Sequence, residues 1–413
     1  MLPDLFRRRY VWIATAIQVT LSIFLAHGFD FRVEYVAGRN IVNGISPYSG
    51  GILSGWMTLG YGSQVQGIGE TPLWAIYMGL CYFLSAGQPF LFNFLSKIPI
   101  VAANVALAYY AYSKGVKGWR FFLFNIYLIV ISVTWGKPDN LAAFLAVLAL
   151  VATDSATSSA FLLSTSLMIK PLGVAILPAY FLQSRTRSIQ WRARFIVETV
   201  LFSAGMFLAP FIIYGWPIGK MTYGFPTWFN HAGALSPFNF VSIETRTEQL
   251  PSNLWWTGYL VLVGTFVLIA YAMIRKPQNT LRYALFSAAV FFTLRPWNSE
   301  QNLVMILILF ILLLGELPSR WLWVIPMMFA LANNAVQQQF YLLMPTIVDK
   351  LNDLYAPFEI YRLWLKFFLS LVWLVVLWLN VIRVYKREGS RSKVQTGSNF
   401  EDNVNARDDS TRD

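Results

Sequence analysis

From Tyr10 to Gly28 the chain reads YVWIATAIQVTLSIFLAHG, without a single Asp, Glu, Lys or Arg. A helix needs about 20 predominantly apolar residues to cross the hydrocarbon core of a bilayer. Comparable runs recur along the 413 residues, 56% of which are hydrophobic and only 13% charged. With a mean hydropathy of +0.52, the composition excludes an ordinary soluble domain of this size. The expected fold is an all-α integral membrane protein. The formal charge of +12 points to the membrane surface and not to nucleic acid, because the basic residues fall between the apolar runs. The lone Cys81 excludes a disulfide framework and a cysteine-based metal site.

Apolar segments near 10–28, 89–112, 120–134, 140–153, 159–183 (a Pro-broken pair), 195–214, 255–274, 282–294, 303–315, 321–343 and 360–382 predict about ten to twelve crossings. TPLWAIYMGLCYFLSA at 71–86 is short and fits a re-entrant or interfacial helix. The first run lacks a small-residue cleavage site, so it reads as a retained anchor. Basic clusters at 7–9, 114–120, 185–194, 275–282, Arg320 and 383–393 fall on one side if the runs cross, which makes both termini cytoplasmic. Residues 1–385 then form one polytopic domain. Its large external loops lie at 29–70 and 215–253. Residues 386–413 form a polar tail expected to be disordered in the cytoplasm.

The polar groups gather in the segments assigned to the outer face. Asp30 and Glu34 stand four residues apart, which places both carboxylates on one face if the stretch is helical. Such a pair suits a general base with a tuning neighbour, or a cation site; the plain alternative is a solvated face paired with Arg32 and Arg39. Lys137, Lys170 and Arg295 each precede a proline at a helix end or break, where the backbone stays extended. An unpaired Lys170 in an apolar stretch is costly unless it snorkels, meets an anion or lines a wet cavity. Lys and Arg are the usual phosphate ligands. His27 is placed to orient Asp30, although a polar cap at a helix end is the plainer role. With only His27 and His231 in the chain, no histidine metal site is expected. GYGSQVQGIGE at 60–70 lacks the strand and helix that a nucleotide loop requires. The aromatic stretch 223–240 suits either stacking on a sugar ring or packing against lipid.

GISPY (44–48), ETPLW (70–74), LFNFLSKIPIVAANVALAYYAY (91–112), GKPDN (136–140), MIKPLGVAILP (168–178) and NSEQN (298–302) occur in that order. Over most of residues 10–345 this set resembles the multispanning GT-C type glycosyltransferases. Within them it is most similar to the catalytic subunit of GPI mannosyltransferase I and its prokaryotic polyprenol-phosphate-mannose-dependent relatives. The resemblance implies a GT-C type bundle that transfers a hexose, with mannose favoured, from a polyprenyl- or dolichyl-phosphate carrier to a lipid-linked or glycan acceptor. Transfer would take place at the extracytoplasmic face, in the plasma membrane of a prokaryote or the endoplasmic reticulum of a eukaryote. Carried over, the catalytic acid is Asp30. The family's Asp-x-Asp pair is incomplete here, because its earlier position is Gly28; this puts a divalent cation in doubt, and no other cofactor is implied. Glu34 and Asp139 are candidates for a second acid. Tyr48, Glu70, Glu300 and Asn302 match positions that shape the loop or meet the acceptor.

A polyprenyl phosphate leaves readily once its charge is held, which suits Lys170, Arg295 and Lys137. The acceptor hydroxyl needs a carboxylate to take its proton, which suits Asp30. One displacement with one base inverts the anomeric carbon. Two other classes share these features: a transporter or flippase of a lipid-linked sugar, and a non-catalytic partner subunit of a transferase. The expected partners are the lipid-phosphate donor, the acceptor, membrane lipid and a small membrane subunit.

Overall fold

The computed structural model describes residues 4–151, 154–184, 187–221, 231–245, 249–274 and 279–408, with backbone alone from 387 onward. The structure is about 79% helical, with no closed sheet among the described residues. Among the described residues, five helical segments are long and apolar enough to cross a membrane: Pro89–Ser113 (α4), Lys117–Thr134 (α5), Ile189–Tyr214 (α9), Ser252–Ile274 (α10) and Pro345–Lys386. Eight shorter apolar helices accompany them: Arg9–Phe24 (α1), Pro72–Leu84 (α3), Asp139–Val151 (α6), Ala156–Ile169 (α7), Pro171–Gln183 (α8), Thr280–Leu294 (α11), Glu300–Leu314 (α12) and Trp321–Ala332 (α13). This is an all-α membrane protein. Apolar side chains on α9 and α10 stand exposed, including Ile212 at 77%, Ile213 at 71% and Phe266 at 68%, as a lipid-facing surface requires. In contrast α12 is buried from Val304 to Ile311 and forms the spine of the core.

Three boundaries differ from those read in the sequence. The first helix ends at Phe24, not near 28: Leu25 turns extended, and the Ala26 N–H donates to the Gln339 carbonyl at 2.8 Å. A separate helix, α2 (Gly28–Val42), then starts, so the first third of the expected loop at 29–70 is helix. It continues through a two-residue hairpin, β1 (Gly51–Ile52) against β2 (Gln64–Val65), into α3, which packs on α2. The helix expected at 321–343 stops at Ala332, where Asn333 and Asn334 follow and Asn334 takes a φ of 59°. Asparagine tolerates this left-handed backbone better than most residues. Finally, Pro345–Tyr355 (α14) leads into Glu359–Asp408 (α15), whose helical backbone runs on into the polar segment beyond 386.

The breaks that matter cluster at one end of the bundle. They are the α1–α2 turn, the α5–α6 turn, the α7–α8 break at Lys170–Pro171, the α11–α12 connection and the end of α13; residues from all of them line one cavity. The end of α5 is a π-helical stretch, Ile129–Thr134, a distortion that often marks functional positions. The α11–α12 connection is tied down by a short parallel pair, β3 (Gly233–Ala234) with β4 (Trp297–Asn298). Of the second expected external loop, 215–253, residues 222–230 and 246–248 lie outside the described residues, and with them residues 223–230 of the aromatic stretch 223–240.

Candidate active site

Because α2 is helical, Asp30 and Glu34 do share a face, and both turn toward Lys137 and not toward Arg32 or Arg39. The Lys137 ammonium lies 2.9 Å from Asp30 Oδ1, 2.5 Å from Glu70 Oε1 and 4.0 Å from Glu34 Oε1. Asp30 Oδ2 accepts from Trp135 Nε1 at 2.6 Å and lies 3.1 Å from His27 Nδ1. The His27 ring stacks on Trp135 with centroids 4.5 Å apart. One acid thus receives two indole and imidazole neighbours on one oxygen and an ammonium on the other. Burial alone would push Asp30 up, but Lys137 and His27 outweigh it and hold its carboxyl well below the usual carboxylate range. Glu34 behaves oppositely. Burial, with Glu70 and Asp30 adding repulsion, pushes it up to about 8 despite Lys137. At neutral pH the group is therefore Asp30⁻, Lys137⁺ and a protonated Glu34, with the Trp74 indole donating to Glu34 Oε1 at 3.3 Å.

A second network stands beside the first. Asp139, at the start of α6, is fully buried and accepts from Lys170 Nζ at 2.6 Å and from Asn302 Nδ2 at 2.5 Å. Asn302 Oδ1 accepts in turn from Arg295 Nη1 at 3.1 Å. The Glu300 carbonyl is held by the Tyr127 hydroxyl at 2.5 Å. Lys137, Lys170 and Arg295 thus each reach an acid or amide contributed by another helix.

Asp30, Glu70, Lys137, Lys170, Arg295, Glu300 and Asn302 line a single cavity of about 490 Å³, within the ordinary range of small-molecule sites, about 300–1,000 Å³. Glu34 and Asp139 sit behind Lys137 and Lys170. Tyr48 is also outside the lining; its hydroxyl donates to the Glu70 carbonyl at 3.4 Å and its ring stacks on Phe211. Lys137, grouped in the sequence with the phosphate ligands, is instead held between Asp30 and Glu70. Gly28 has a steric reason. A Cβ there would lie 2.6 Å from the Tyr61 ring and 2.8 Å from Tyr341, so an acid at that position has no room.

Lys97 was not singled out in the sequence. It is fully buried, with its ammonium on the carbonyls of Leu25 and, at 2.9 Å, of Thr134. Asn93, one turn earlier on α4, donates to the carbonyls of Ser22 at 2.6 Å and Leu25 at 3.0 Å. These two side chains satisfy the orphan carbonyls at the ends of α1 and α5, next to the turns that present Asp30 and Lys137. A lysine flanked by asparagines in an apolar helix was the available signal. Gly136, with a φ of 94°, brings the chain against this lysine: a Cβ there would lie 2.8 Å from Lys97 Cε.

Among the described residues no group of three or more His, Cys, Asp or Glu is arranged to hold a metal ion. The carboxylates that converge do so on an ammonium. No protein-family model matches the chain, and no curated protein matches it either.

Proposed function

We propose that the protein is a multi-pass membrane glycosyltransferase that moves a hexose from a polyprenyl-phosphate carrier to a hydroxyl acceptor, with Asp30 as the base. The observation that carries this reading is the juxtaposition, in one cavity at one end of the bundle, of an ionised Asp30 with Lys170 and Arg295. A phosphate held by Lys170 and Arg295 becomes a stable leaving group as the bond between its oxygen and the anomeric carbon breaks. The acceptor oxygen attacks from the opposite face and its proton passes to Asp30, which inverts the anomeric centre.

The depressed pKa of Asp30 fits this role only if proton transfer comes late. A neutral alcohol would not give its proton to so weak a base. As the new C–O bond forms, however, the attacking oxygen acquires oxonium character and becomes far more acidic, so an ionised, correctly aimed carboxylate suffices. Lys137 and Trp135 hold the aim. A carrier for a lipid-linked sugar would be expected to place its charges near mid-depth; here they sit at helix ends.

Membranes containing the protein, incubated with radiolabelled polyprenyl-phosphate sugars and a host lipid extract, should transfer label. Asp30→Asn keeps shape and removes the proton acceptor, so transfer should fall at least about a hundredfold with the protein still folded. Near-normal transfer by a folded Asp30→Asn protein would falsify the assignment.

A further inference from the structure

On the side of α2 away from Asp30, the hairpin β1–β2 closes a second cavity of about 550 Å³. Phe29 and Tyr61 separate it from the first, since both residues line both cavities. Arg32, Ser49, Gln64 and Gln66 supply its polar lining, and no Asp or Glu lines it. Arg32 is 3% exposed. One of its terminal nitrogens donates to the Gly62 carbonyl, its guanidinium carbon lies 5.1 Å from the Tyr61 ring centre, and its Nε has no partner. Among the described residues no carboxylate forms an ion pair with Arg32, whereas Lys137 and Lys170 are both paired with acids. A second cation stands near Ser49, whose hydroxyl lies 3.5 Å from Lys220 Nζ.

A buried guanidinium without a counter-ion is costly. An anion in the adjoining space removes that cost. The planar fork of Arg32 matches a phosphate, and the hydroxyl and two amides around it suit the remaining oxygens or the polyol attached to them. We propose that this second cavity binds a phosphate-class anion with Arg32 as its charged ligand. The anion is either the phosphodiester of a lipid headgroup or free phosphate. Where the transferase reading holds, the headgroup belongs to the acceptor, because the cavity abuts the helix that carries Asp30.

The test measures binding to the full chain in phosphatidylcholine nanodiscs with no sugar donor, so its failure leaves the transfer reading standing and can be told from failure of that reading. The probes are dioctanoyl phosphatidylinositol, dioctanoyl phosphatidylcholine and sodium phosphate. Saturable binding of the inositol lipid but not the choline lipid is expected, weakened about tenfold or more by Arg32→Gln. Ser49→Trp fills the cavity while leaving Arg32 and its bond to Gly62 in place, and should weaken binding likewise; it decides the matter if Arg32→Gln does not fold. Binding of the lipid alone assigns a headgroup site, and equal binding of sodium phosphate assigns a free-anion site. Equal affinity of the bound probe for the wild type and Ser49→Trp, equal saturable binding of the choline and inositol lipids, or saturable binding of neither the inositol lipid nor sodium phosphate overturns the proposal.

Discussion

Lys137→Met removes the cation that the Asp30 and Glu70 carboxylates share. The ammonium stands 2.9 Å from Asp30 and 2.5 Å from Glu70, and its side chain is 9% exposed. At an effective dielectric of about 20, unit charges roughly 3 Å apart attract by about 5–6 kcal/mol. Part of that offsets desolvation, so breaking the buried cluster should cost about 3–5 kcal/mol. The sign of the pH dependence follows from linkage. In the wild type Asp30 has a depressed folded pKa, so its contribution is present above the unfolded carboxyl pKa and lost as pH falls through that range. Without Lys137, burial dominates at Asp30 and raises its folded pKa. Its contribution is then greatest in acid and is lost as pH rises. The deficit of the variant should therefore be larger near pH 8 than near pH 5. Thermal or chemical unfolding in nanodiscs at both pH values reads it directly. Adding Glu70→Gln should recover part of the loss, because one of the unpaired charges is gone. A deficit of equal size at both pH values, or none at either, would refute the electrostatic account of this site.

Glu34→Gln should match the wild type in stability only below about pH 4.5, where Glu34 is protonated in the folded and the unfolded chain alike. Because its folded pKa is raised to about 8, the wild type loses stability progressively as pH rises from the unfolded carboxyl value to about 8 and the variant does not, so unfolding curves should separate in favour of the variant across that window and stay apart above it. Lys170→Met should raise the KM for the lipid-phosphate donor about tenfold or more, with a smaller effect on kcat; an unchanged KM removes Lys170 from donor binding. Gly28→Ala places a methyl 2.6 Å from Tyr61 and should cost about 1–3 kcal/mol, and Gly28→Asp should cost more without gaining metal-dependent activity. A fully stable Gly28→Asp protein would show that the two tyrosines give way.

What could be read from the sequence was local. The acid at the head of α2, the spacing of Asp30 and Glu34, and the lysines and arginine before prolines each announce themselves through a short pattern. Their partners do not. Lys137 meets Asp30 across 107 positions of the chain, and Asn302 meets Asp139 across 163, and no periodicity encodes such pairings. Lys137 was therefore grouped with the phosphate ligands, although two acids stand beside it. The end of α13 was legible as a run of asparagines and glutamines, but apolar residues around it carried the expected helix too far. Lys97 was legible in principle, since a charge amid apolar residues needs a reason. Its reason, the bare carbonyl ends of two other helices, appears only in three dimensions.

The placement of the acids at helix starts has its own logic. Asp30, Asp139 and Glu300 all fall in the first turn of a helix, where unpaired N–H groups and the positive end of the helix dipole favour a negative charge. At the edge of an apolar bundle, burial works against ionisation, and Glu34, one turn further along α2, shows the result. A carboxylate that must stay charged there therefore needs both a helix start and a cation. Asp30 has Lys137, and Asp139 has Lys170. Opening the bundle at paired helix ends supplies the first condition without exposing backbone to lipid, because side chains such as Lys97 and Asn93 cover the carbonyls left bare on the helices that end there. The cavity is then a consequence of where helices stop, and its charge is set by what each stop must satisfy.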